Sequence, residues 1–325
     1  MPLLSVIIPI YNEEGNIIKL YERLSQVILK LGIDAEFIFI NDGSKDRSMQ
    51  LILDLAGKNP GVRYIDFARN FGHQIAVTAG LDYCSGNAAV IIDADLQDPP
   101  ELIEEMYRKW KEGYEVIYAK RRSREGESPM KKVTAKVFYR MLQKITSINI
   151  PVDTGDFRLI DRKIIEVLKK MPEQQKFLRG QISWIGFRQT YVEYDRDARY
   201  AGKTGYTFRK MTRFALDGIT SFSNLPLKFA TFAGFIVSAI AFIMILYALY
   251  SRFISKDYVP GWTSLMLAVL FIGGVQLICI GIIGEYISRM SSNVRNRPLY
   301  IINDSNFSIL DNFSKPENAQ VERKD

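Results

Sequence analysis

The sequence predicts an α/β protein with a doubly wound, mostly parallel sheet, followed by a pair of membrane helices. Strand patterns alternate strictly with amphipathic helix patterns from residue 4 to residue 119, which is typical of a parallel sheet. Two later stretches, each longer than the roughly 20 residues needed to cross a bilayer, contain no charged side chain. Neither a G-x-G-x-x-G fingerprint nor a P-loop follows the first strand, so these two nucleotide-binding motifs are absent.

The elements follow from apolar spacing. The first five predicted strands are Leu4–Ile10, Glu36–Ile40, Val62–Phe67, Ala88–Ile92 and Val116–Ala119. Helical spacing between them predicts the crossover helices, and we expect Asn12 and Asp98 to cap two of these. Further along, Arg162–Lys170 and Phe177–Phe187 predict helices and Gln189–Tyr194 predicts a strand. Beyond Asn303 the chain is polar, and we expect it to be disordered.

Polar side chains follow three of the predicted strands. Asp93 and Asp95 come after the fourth strand, Asp42 after the second, and Tyr11 and Glu13 after the first. Because ligands of open α/β sheets bind beyond the carboxyl ends of the strands, we expect a cleft there. Two carboxylates so close repel each other unless a cation separates them, and Mg²⁺ sites use one or two carboxylates plus substrate phosphates. The alternatives are a solvated acidic turn for the pair, a first-turn helix acid for Glu13 and an Asx turn for Asp42.

The charge balance leaves several partners open. The formal net charge is +7 and the pI is near 9.2, which suits nucleic acid, anionic lipid or phosphorylated substrates. Cys84 and Cys279 lack metal-site spacing and are predicted to be core or lipid-facing thiols. No signal peptide is predicted, because Met1–Ile10 has no basic flank and runs into a strand.

Basic residues concentrate just after the fifth strand. Residues 131–146 predict an amphipathic helix with lysine or arginine at every fourth position. Because such a helix suits the headgroup plane of an anionic bilayer, we expect it to lie at a membrane surface. The alternative is the solvated face of a globular helix. Nucleic-acid binding through the same patch is a competing function, but the membrane-type pattern argues against it.

The uncharged stretches 229–250 and 259–284 are joined by a short connector and therefore predict a transmembrane hairpin. Basic residues flank its outer ends, so the positive-inside rule places both termini in the cytoplasm. Glycines in the second span allow close packing, including between copies in a homo-oligomer. The predicted organisation is a catalytic domain (1–205), an interfacial helix (206–226), the hairpin (227–285) and a cytoplasmic tail (286–325).

Several motifs, in a fixed order and followed by this hairpin, resemble the family-two glycosyltransferases of the polyprenyl-phosphate branch. That branch includes the bactoprenol glucosyltransferases and, more distantly, the dolichol-phosphate mannose synthases. The motifs are Pro9–Glu13, Asn41–Ser44, Arg69–Gly72, Asp93–Pro100 and Gly155–Leu159. The resemblance covers roughly residues 3–298.

The resemblance implies a GT-A fold that transfers a sugar, glucose or N-acetylglucosamine, from a UDP-sugar to polyprenyl (undecaprenyl) phosphate at the cytoplasmic face of the plasma membrane. It implies that Asp93 and Asp95 hold Mg²⁺ or Mn²⁺, and that Asp156 matches the carboxylate assigned as catalytic base; Asp95 is the second expected catalytic residue. It further implies a set of donor contacts. The residues expected to contact the UDP-sugar are Pro9, Tyr11, Glu13, Asp42, Asp93, Gln97 and Lys203.

Two positions depart from the family pattern. Relatives often carry Gly-x-Ser/Thr-Lys before an aromatic residue, and here the usual lysine position is Gly205. Diphosphate contact by the nearby Lys203 is therefore in doubt. His73 stands where relatives often have lysine. For this histidine a polar loop-to-helix role is a stronger expectation than a catalytic one.

The acceptor is a phosphate monoester, which is mostly dianionic at pH 7 because its second pKa is near 6. A strong base is not chemically required, so Asp156 is expected either to act as base or to orient the acceptor. Forked guanidinium donors suit phosphate. The basic residues expected to bind it are Arg121, Arg122, Arg124, Lys131 and Lys132. The competing functions are a polysaccharide synthase, which needs more spans, and a non-catalytic, membrane-tethered nucleotide-sugar-binding protein.

Overall fold

The computed structural model describes residues 4–122, 154–195, 225–250, 254 and 261–307. The predicted interfacial helix over 131–146 lies outside these ranges, as does the second one over 206–226 except for its last two residues. Four of the predicted site residues also lie outside them: Arg124, Lys131, Lys132 and Lys203.

Within the described residues, eight strands form one sheet flanked by helices. The strands are β1 (Leu4–Ile10), β2 (Ala35–Asn41), β3 (Val62–Phe67), β4 (Ala88–Ile91), β5 (Val116–Arg121), β6 (Thr154–Asp161), β7 (Gln189–Tyr194) and β8 (Ile302–Ser305). The helices are α1 (Ile17–Leu31), α2 (Ser48–Lys58), α3 (His73–Tyr83), α4 (Leu102–Lys111), α5 (Arg162–Lys169), α6 (Leu178–Ile185), α7 (Leu225–Tyr250) and α8 (Trp262–Val294).

The strand order is β7-β5-β6-β4-β1-β2-β3-β8, and most neighbours run parallel. This confirms the predicted doubly wound, mostly parallel α/β fold. Two strands are antiparallel to their neighbours: β6 lies between β4 and β5, and β8 lies beside β3. The β6 segment was predicted only as a motif, because its strand pairing depends on partners that are far away in the chain.

The register brings the functional loops to one edge of the sheet. Ile10 of β1 pairs with Asn41 of β2, and Ile7 of β1 pairs with Ile91 of β4. The residues that follow these three strands therefore leave the sheet at the same edge, and Asp93 is among them. This is the edge at which ligands of open α/β sheets bind.

The core has two halves, one on each face of the sheet. Helices α1, α2 and α4 pack on one face, and α3, α5 and α6 pack on the other. Every residue of β1 is buried, as expected for a central strand covered on both faces. At Gly80, α3 comes so close to β1 that an added Cβ would lie 2.3 Å from Cγ2 of Ile7.

Both helix-cap predictions are wrong. Asn12 adopts a left-handed φ of 56°, and its side chain accepts a hydrogen bond from the Lys45 N–H at 2.7 Å, so it links two loops instead of starting α1. Asp98 lies before a separate turn that precedes α4. Its carboxylate is buried and accepts a hydrogen bond from the Tyr194 hydroxyl. In both cases a contact distant in sequence takes the place of the local cap.

At the N-terminal edge of the sheet, Glu36 is a buried carboxylate with several hydrogen-bond donors around it. Ser5 Oγ donates to its Oε1 at 2.5 Å and the Ser85 N–H donates to the same oxygen at 2.6 Å, while Arg63 donates to Oε2. Burial alone raises the pKa of Glu36, but these hydrogen bonds and the charge of Arg63 hold it below its ordinary value. The network therefore stabilises the fold with Glu36 ionised.

Helices α7 and α8 pack together and form the apolar pair that the sequence predicts. Each contains a stretch long and apolar enough to cross a membrane, Leu225–Met244 and Phe271–Val294. At most 6% of either stretch is buried, so neither is the core helix of a soluble domain. Cys279 Sγ lies 3.6 Å from the Ala230 carbonyl oxygen across the pair. By length, composition and low burial, α7 and α8 are candidate transmembrane helices.

Helix α8 continues past the predicted end of the span and reaches the α/β domain. Asn293 Oδ1 accepts a hydrogen bond from the Gln174 N–H at 3.1 Å, and Arg289 donates to Gln175. The hairpin and the sheet domain are therefore in direct contact at this end of α8.

The chain after α8 returns to the sheet. Residues Ile302–Ser305 form β8, antiparallel to β3. The Tyr300 ring stacks on Phe67 with centroids 5.2 Å apart, and its hydroxyl donates to Asp82 Oδ2 at 2.8 Å. The predicted disorder beyond Asn303 is therefore wrong for the residues of β8. Their polarity is compatible with a strand because the edge of β3 supplies backbone partners.

Candidate active site

Asp42 follows β2, is buried, and fixes the loop that leads into α3. Its carboxylate accepts hydrogen bonds from the backbone N–H groups of Phe71 at 2.6 Å and Gly72 at 3.0 Å, and from Asn70 Nδ2 at 2.9 Å. Burial raises the pKa of Asp42, and the hydrogen bonds from the loop oppose that rise. The structure shows Asp42 positioning this loop; its expected contact with a nucleoside stays a prediction.

The other expected nucleoside contacts lie at the end of β1. Pro9 is buried within the strand, whereas Tyr11 is 46% exposed just beyond it. Glu13 Oε2 accepts a hydrogen bond from Asn16 Nδ2 at 2.6 Å, and the Glu13 N–H donates to Ser48 Oγ at 3.0 Å. This turn is thus tied to the start of α2, and Tyr11 is exposed beside it.

The acidic pair after β4 lies in a tight turn. Leu96 between Asp95 and Gln97 has a φ of 58°, a left-handed conformation that is uncommon for a residue other than glycine. The Gln97 N–H donates to Asp95 Oδ1 at 3.2 Å, and Asp95 is 7% exposed. Leu96 is buried in the hydrophobic core, and this packing holds the turn that carries Asp95 in place.

The surroundings of Asp93 fit a divalent cation. Its Oδ1 is buried and accepts no hydrogen bond within the described part of the chain; His73 Nε2 lies 3.5 Å from this oxygen and pairs with it by charge alone. Burial raises the pKa of Asp93, and so does repulsion from Asp156, Asp98 and Asp95; the attraction of His73 opposes this rise. No group of three or more His, Cys, Asp or Glu side chains in the described ranges forms a complete metal cage. A cation here would therefore take its remaining ligands from substrate phosphates and water.

His73, the first residue of α3, bridges Asp93 and Asp156. Its Nε2 lies 3.5 Å from Asp93 Oδ1 and 3.2 Å from Asp156 Oδ2. Burial lowers the pKa of His73, but the attraction of Asp93 and Asp156 outweighs burial and raises the pKa to about 9. The sequence favours a polar role at the loop–helix junction, whereas the structure places His73 between Asp93 and Asp156. Its position directly after the Arg69–Gly72 motif is the sequence feature that could have indicated a place in the site.

Three further side chains hold Asp156, and none of them is among the site residues predicted from the sequence. Arg179 Nε donates to Asp156 Oδ1 at 2.8 Å, Arg158 Nη2 lies 3.5 Å from the same oxygen, and Gln74 Nε2 donates to Oδ2 at 3.4 Å. Burial raises the pKa of Asp156, but Arg179 and His73 hold it well below its usual range. Arg179 belongs to α6, and no local pattern shows that α6 packs its first turn against β6.

Of the basic residues expected to bind the acceptor, Arg121 and Arg122 are in the described ranges. The Arg121 side chain is 21% exposed; its Nε donates to the Tyr194 hydroxyl at 3.2 Å, and its Nη2 lies 3.7 Å from Asp98 Oδ1. The Arg122 side chain is 60% exposed and lies 3.9 Å from Glu193. The structure therefore brings Arg121 beside the site and leaves Arg122 at its outer border.

Comparison with known families gives two matches. Residues 5–169 match glycosyl transferase family 2, and residues 225–290 match the GtrB C-terminal hairpin. The first range covers the sheet from β1 through β6 and α5, and the second covers α7 and most of α8.

Individual relatives extend over nearly the whole chain. The uncharacterized glycosyltransferase YkcC of Bacillus subtilis is 50% identical over 301 residues, which is 93% of each chain. The SfII prophage-derived bactoprenol glucosyl transferase of Shigella flexneri is 41% identical over 302 residues, covering 93% of this chain and 98% of the relative. A crystal structure of glucosyl-3-phosphoglycerate synthase from Mycobacterium tuberculosis with uridine-diphosphate aligns with a TM-score of 0.48 and 18% identity, over 67% of this chain and 78% of that one.

Proposed function

Because the chain belongs to glycosyl transferase family 2, we propose that it transfers glucose or N-acetylglucosamine from a UDP-sugar to polyprenyl phosphate at the cytoplasmic face of the plasma membrane. One observation carries this proposal: 93% of the chain, including the hairpin, aligns with a relative named for a bactoprenol acceptor. In this proposal residues 1–205 form the catalytic domain, residues 206–226 lie at the membrane surface, residues 227–285 span it, and the tail 286–325 returns to the cytoplasm.

The site has an acidic half and a basic half. The acidic half is Asp93 and Asp95, which follow β4. The basic half is Arg121 and Arg179; Arg179 pairs with Asp156, and Arg121 lies 3.7 Å from Asp98. In this proposal the acidic pair holds the cation that faces the donor diphosphate. A bound Mg²⁺ or Mn²⁺ supplies charge neutralisation as the glycosidic bond breaks. The basic half receives the phosphate of the acceptor.

The transfer balances without an added proton acceptor. One oxygen of the acceptor phosphate forms a bond to the anomeric carbon, while the bond from that carbon to the diphosphate oxygen breaks and its electron pair leaves with UDP. Displacement in one step inverts the anomeric centre. Because the acceptor is mostly dianionic at pH 7, it carries no proton that must be removed first. In this proposal Asp156 stays ionised and orients groups around the acceptor.

The experiment that tests the function is product analysis. The full chain, purified in detergent, is incubated with polyprenyl phosphate, Mg²⁺ or Mn²⁺ and each member of a panel of UDP-sugars. Mass spectrometry of the lipid is expected to show one added sugar with UDP-glucose or UDP-N-acetylglucosamine. A lipid mass that stays unchanged with every sugar contradicts the proposal.

A matched pair of aspartate variants tests the acidic half. Asp93→Asn removes one carboxylate charge from the expected cation site and should lower turnover at least 100-fold with metal in excess. Asp54→Asn makes the same chemical change on the exposed face of α2 and should leave turnover within two-fold of wild type. Near-wild-type turnover of Asp93→Asn in metal-controlled buffer would remove the metal from this account.

A further inference from the structure

Two arginines from different elements flank the Gly155–Asp156 segment of β6. Arg179 from α6 donates its Nε–H to Asp156 Oδ1 at 2.8 Å. Arg121 at the end of β5 lies against Gly155, where an added Cβ would be 3.0 Å from Arg121 Nη2. The side chains of both remain partly exposed, at 23% for Arg179 and 21% for Arg121. Two guanidinium groups therefore border the same short piece of backbone with solvent access.

A third arginine near this segment, Arg158, is buried. Arg158 is 1% exposed, its Nη2 donates to the Gly155 carbonyl at 2.8 Å, and its guanidinium lies 5.3 Å from the centroid of the Tyr118 ring. It is enclosed by protein and has no access to a ligand. Its charge faces Asp156, whose Oδ1 lies 3.5 Å from Arg158 Nη2, so Arg121 and Arg179 are the two arginines of this cluster with solvent access.

The start of α6 is held in place from the side of α3. Gln74 Oε1 accepts a hydrogen bond from the Leu178 N–H at 3.2 Å, while its Nε2 donates to Asp156 Oδ2 at 3.4 Å. The residue next to Leu178 is Arg179, whose own side chain bonds the other oxygen of Asp156. Asp156 and Gln74 thus fix both the backbone and the guanidinium plane of Arg179.

We propose that Arg179 binds the phosphate of the acceptor together with Arg121, and that Asp156 acts as a positioning residue that aims Arg179. This inference rests on the proposed function, since it names which side chains hold the acceptor. A guanidinium has five N–H donors in a fixed planar fork that matches the oxygens of a phosphate, and the Arg179 side chain is 23% exposed. The acceptor phosphate is then held by Arg179 and Arg121, next to Gly155.

The test separates acceptor binding from donor binding. Initial rates are measured for the full chain in detergent with polyprenyl phosphate and the UDP-sugar varied independently. Arg179→Lys keeps the charge but loses the fork, and it should raise the KM for polyprenyl phosphate at least ten-fold with the KM for the UDP-sugar within two-fold. The control is Arg188→Lys, an exposed arginine after α6 whose guanidinium lies over Tyr114; both KM values should stay within two-fold of wild type.

Asp156→Asn provides the second readout. A positioning role predicts that it, like Arg179→Lys, raises the acceptor KM at least ten-fold. A general base instead predicts a fall in kcat with the acceptor KM unchanged, and that result overturns the assignment of Asp156. Adding methylguanidinium to Arg179→Ala should recover part of the lost acceptor affinity, because the small cation can occupy the emptied position; no recovery counts against Arg179.

The outcomes also separate this inference from the proposed function. If wild type makes no glycosylated lipid, the function and the inference fail together. If wild type is active and Arg179→Lys keeps its acceptor KM, only the inference fails. An Arg179→Lys protein that no longer binds the UDP-sugar likewise overturns the inference, because the assigned role is confined to the acceptor.

Discussion

Replacing Gly43 with alanine tests how the two loops at the functional edge support each other. Gly43 follows Asp42 and has a φ of +66°, in the left-handed region. An added Cβ would lie 2.6 Å from the backbone nitrogen of Asn70 and 2.7 Å from the carbonyl carbon of Arg69. These are backbone atoms of the loop that Asp42 holds, so no side-chain rotation relieves the overlap.

The expected cost combines two effects. A left-handed conformation costs a residue with a Cβ about 1–2 kcal/mol. Forcing an extra carbon into a packed position costs about 1–3 kcal/mol. The variant should therefore lose about 2–5 kcal/mol of unfolding free energy, which corresponds to a fall in Tm of about 4–20 °C at 2–4 °C per kcal/mol for a domain of this size.

Thermal unfolding of the purified full chain measures this cost, and Gly57→Ala is the matched control. Gly57 lies in α2 without a left-handed φ, and its added Cβ meets nothing within 4 Å. The same substitution there should stabilise the fold by about 0.5 kcal/mol, since alanine favours a helix more than glycine does. If Gly43→Ala unfolds at the wild-type temperature, the loop contact at Asn70 is not the constraint described here.

The remaining predictions concern stability. Because the folded pKa of Glu36 lies below its usual 4.5, its ionised form stabilises the fold above pH 4.5, and this contribution is lost as the pH falls through the lower folded pKa. In chemical-denaturation curves, Glu36→Gln should therefore weaken the dependence of the unfolding free energy on acid pH. An unchanged dependence would exclude Glu36 as its source. Tyr300→Phe removes the hydroxyl that bonds Asp82, and denaturation should show a loss of about 1–3 kcal/mol; no loss would mean that β8 is held by other contacts. Gly80→Ala places a Cβ 2.3 Å from Ile7 Cγ2, and calorimetry should show about 1–3 kcal/mol of destabilisation unless α3 shifts freely on the sheet.

The parallel core was predictable because its signals are local. Buried strands such as Leu4–Ile10 are continuous apolar runs, and the crossover helices between them carry their own spacing. Strands β6 and β8 were not predicted, since each forms only where a neighbouring strand offers an edge. Asp98 shows the same limit. Its sequence context suits a helix cap, yet its carboxylate accepts a hydrogen bond from the hydroxyl of Tyr194, at the end of the edge strand β7.

The site was predictable to the extent that it lies at strand ends. Asp93 was placed at the functional edge by topology alone, and the structure has it there. His73 and Arg179 were missed for different reasons. His73 is next to a recognised motif but its reach to two carboxylates depends on how α3 approaches β4. Arg179 reaches Asp156 only through the packing of α6, which no periodicity in the sequence describes.

The last strand joins the two ends of the chain, because β8 follows α8 in sequence and pairs with β3 of the sheet. The final sheet strand, β8, follows the hairpin in the chain, so the soluble part of the fold is not contiguous in sequence. A fragment that stops before α7 would lack β8, and the backbone of β3 would then be open to pairing with other chains. A water-soluble fragment would therefore have to include residues 300–307, since truncation before α7 leaves the edge of β3 unpaired.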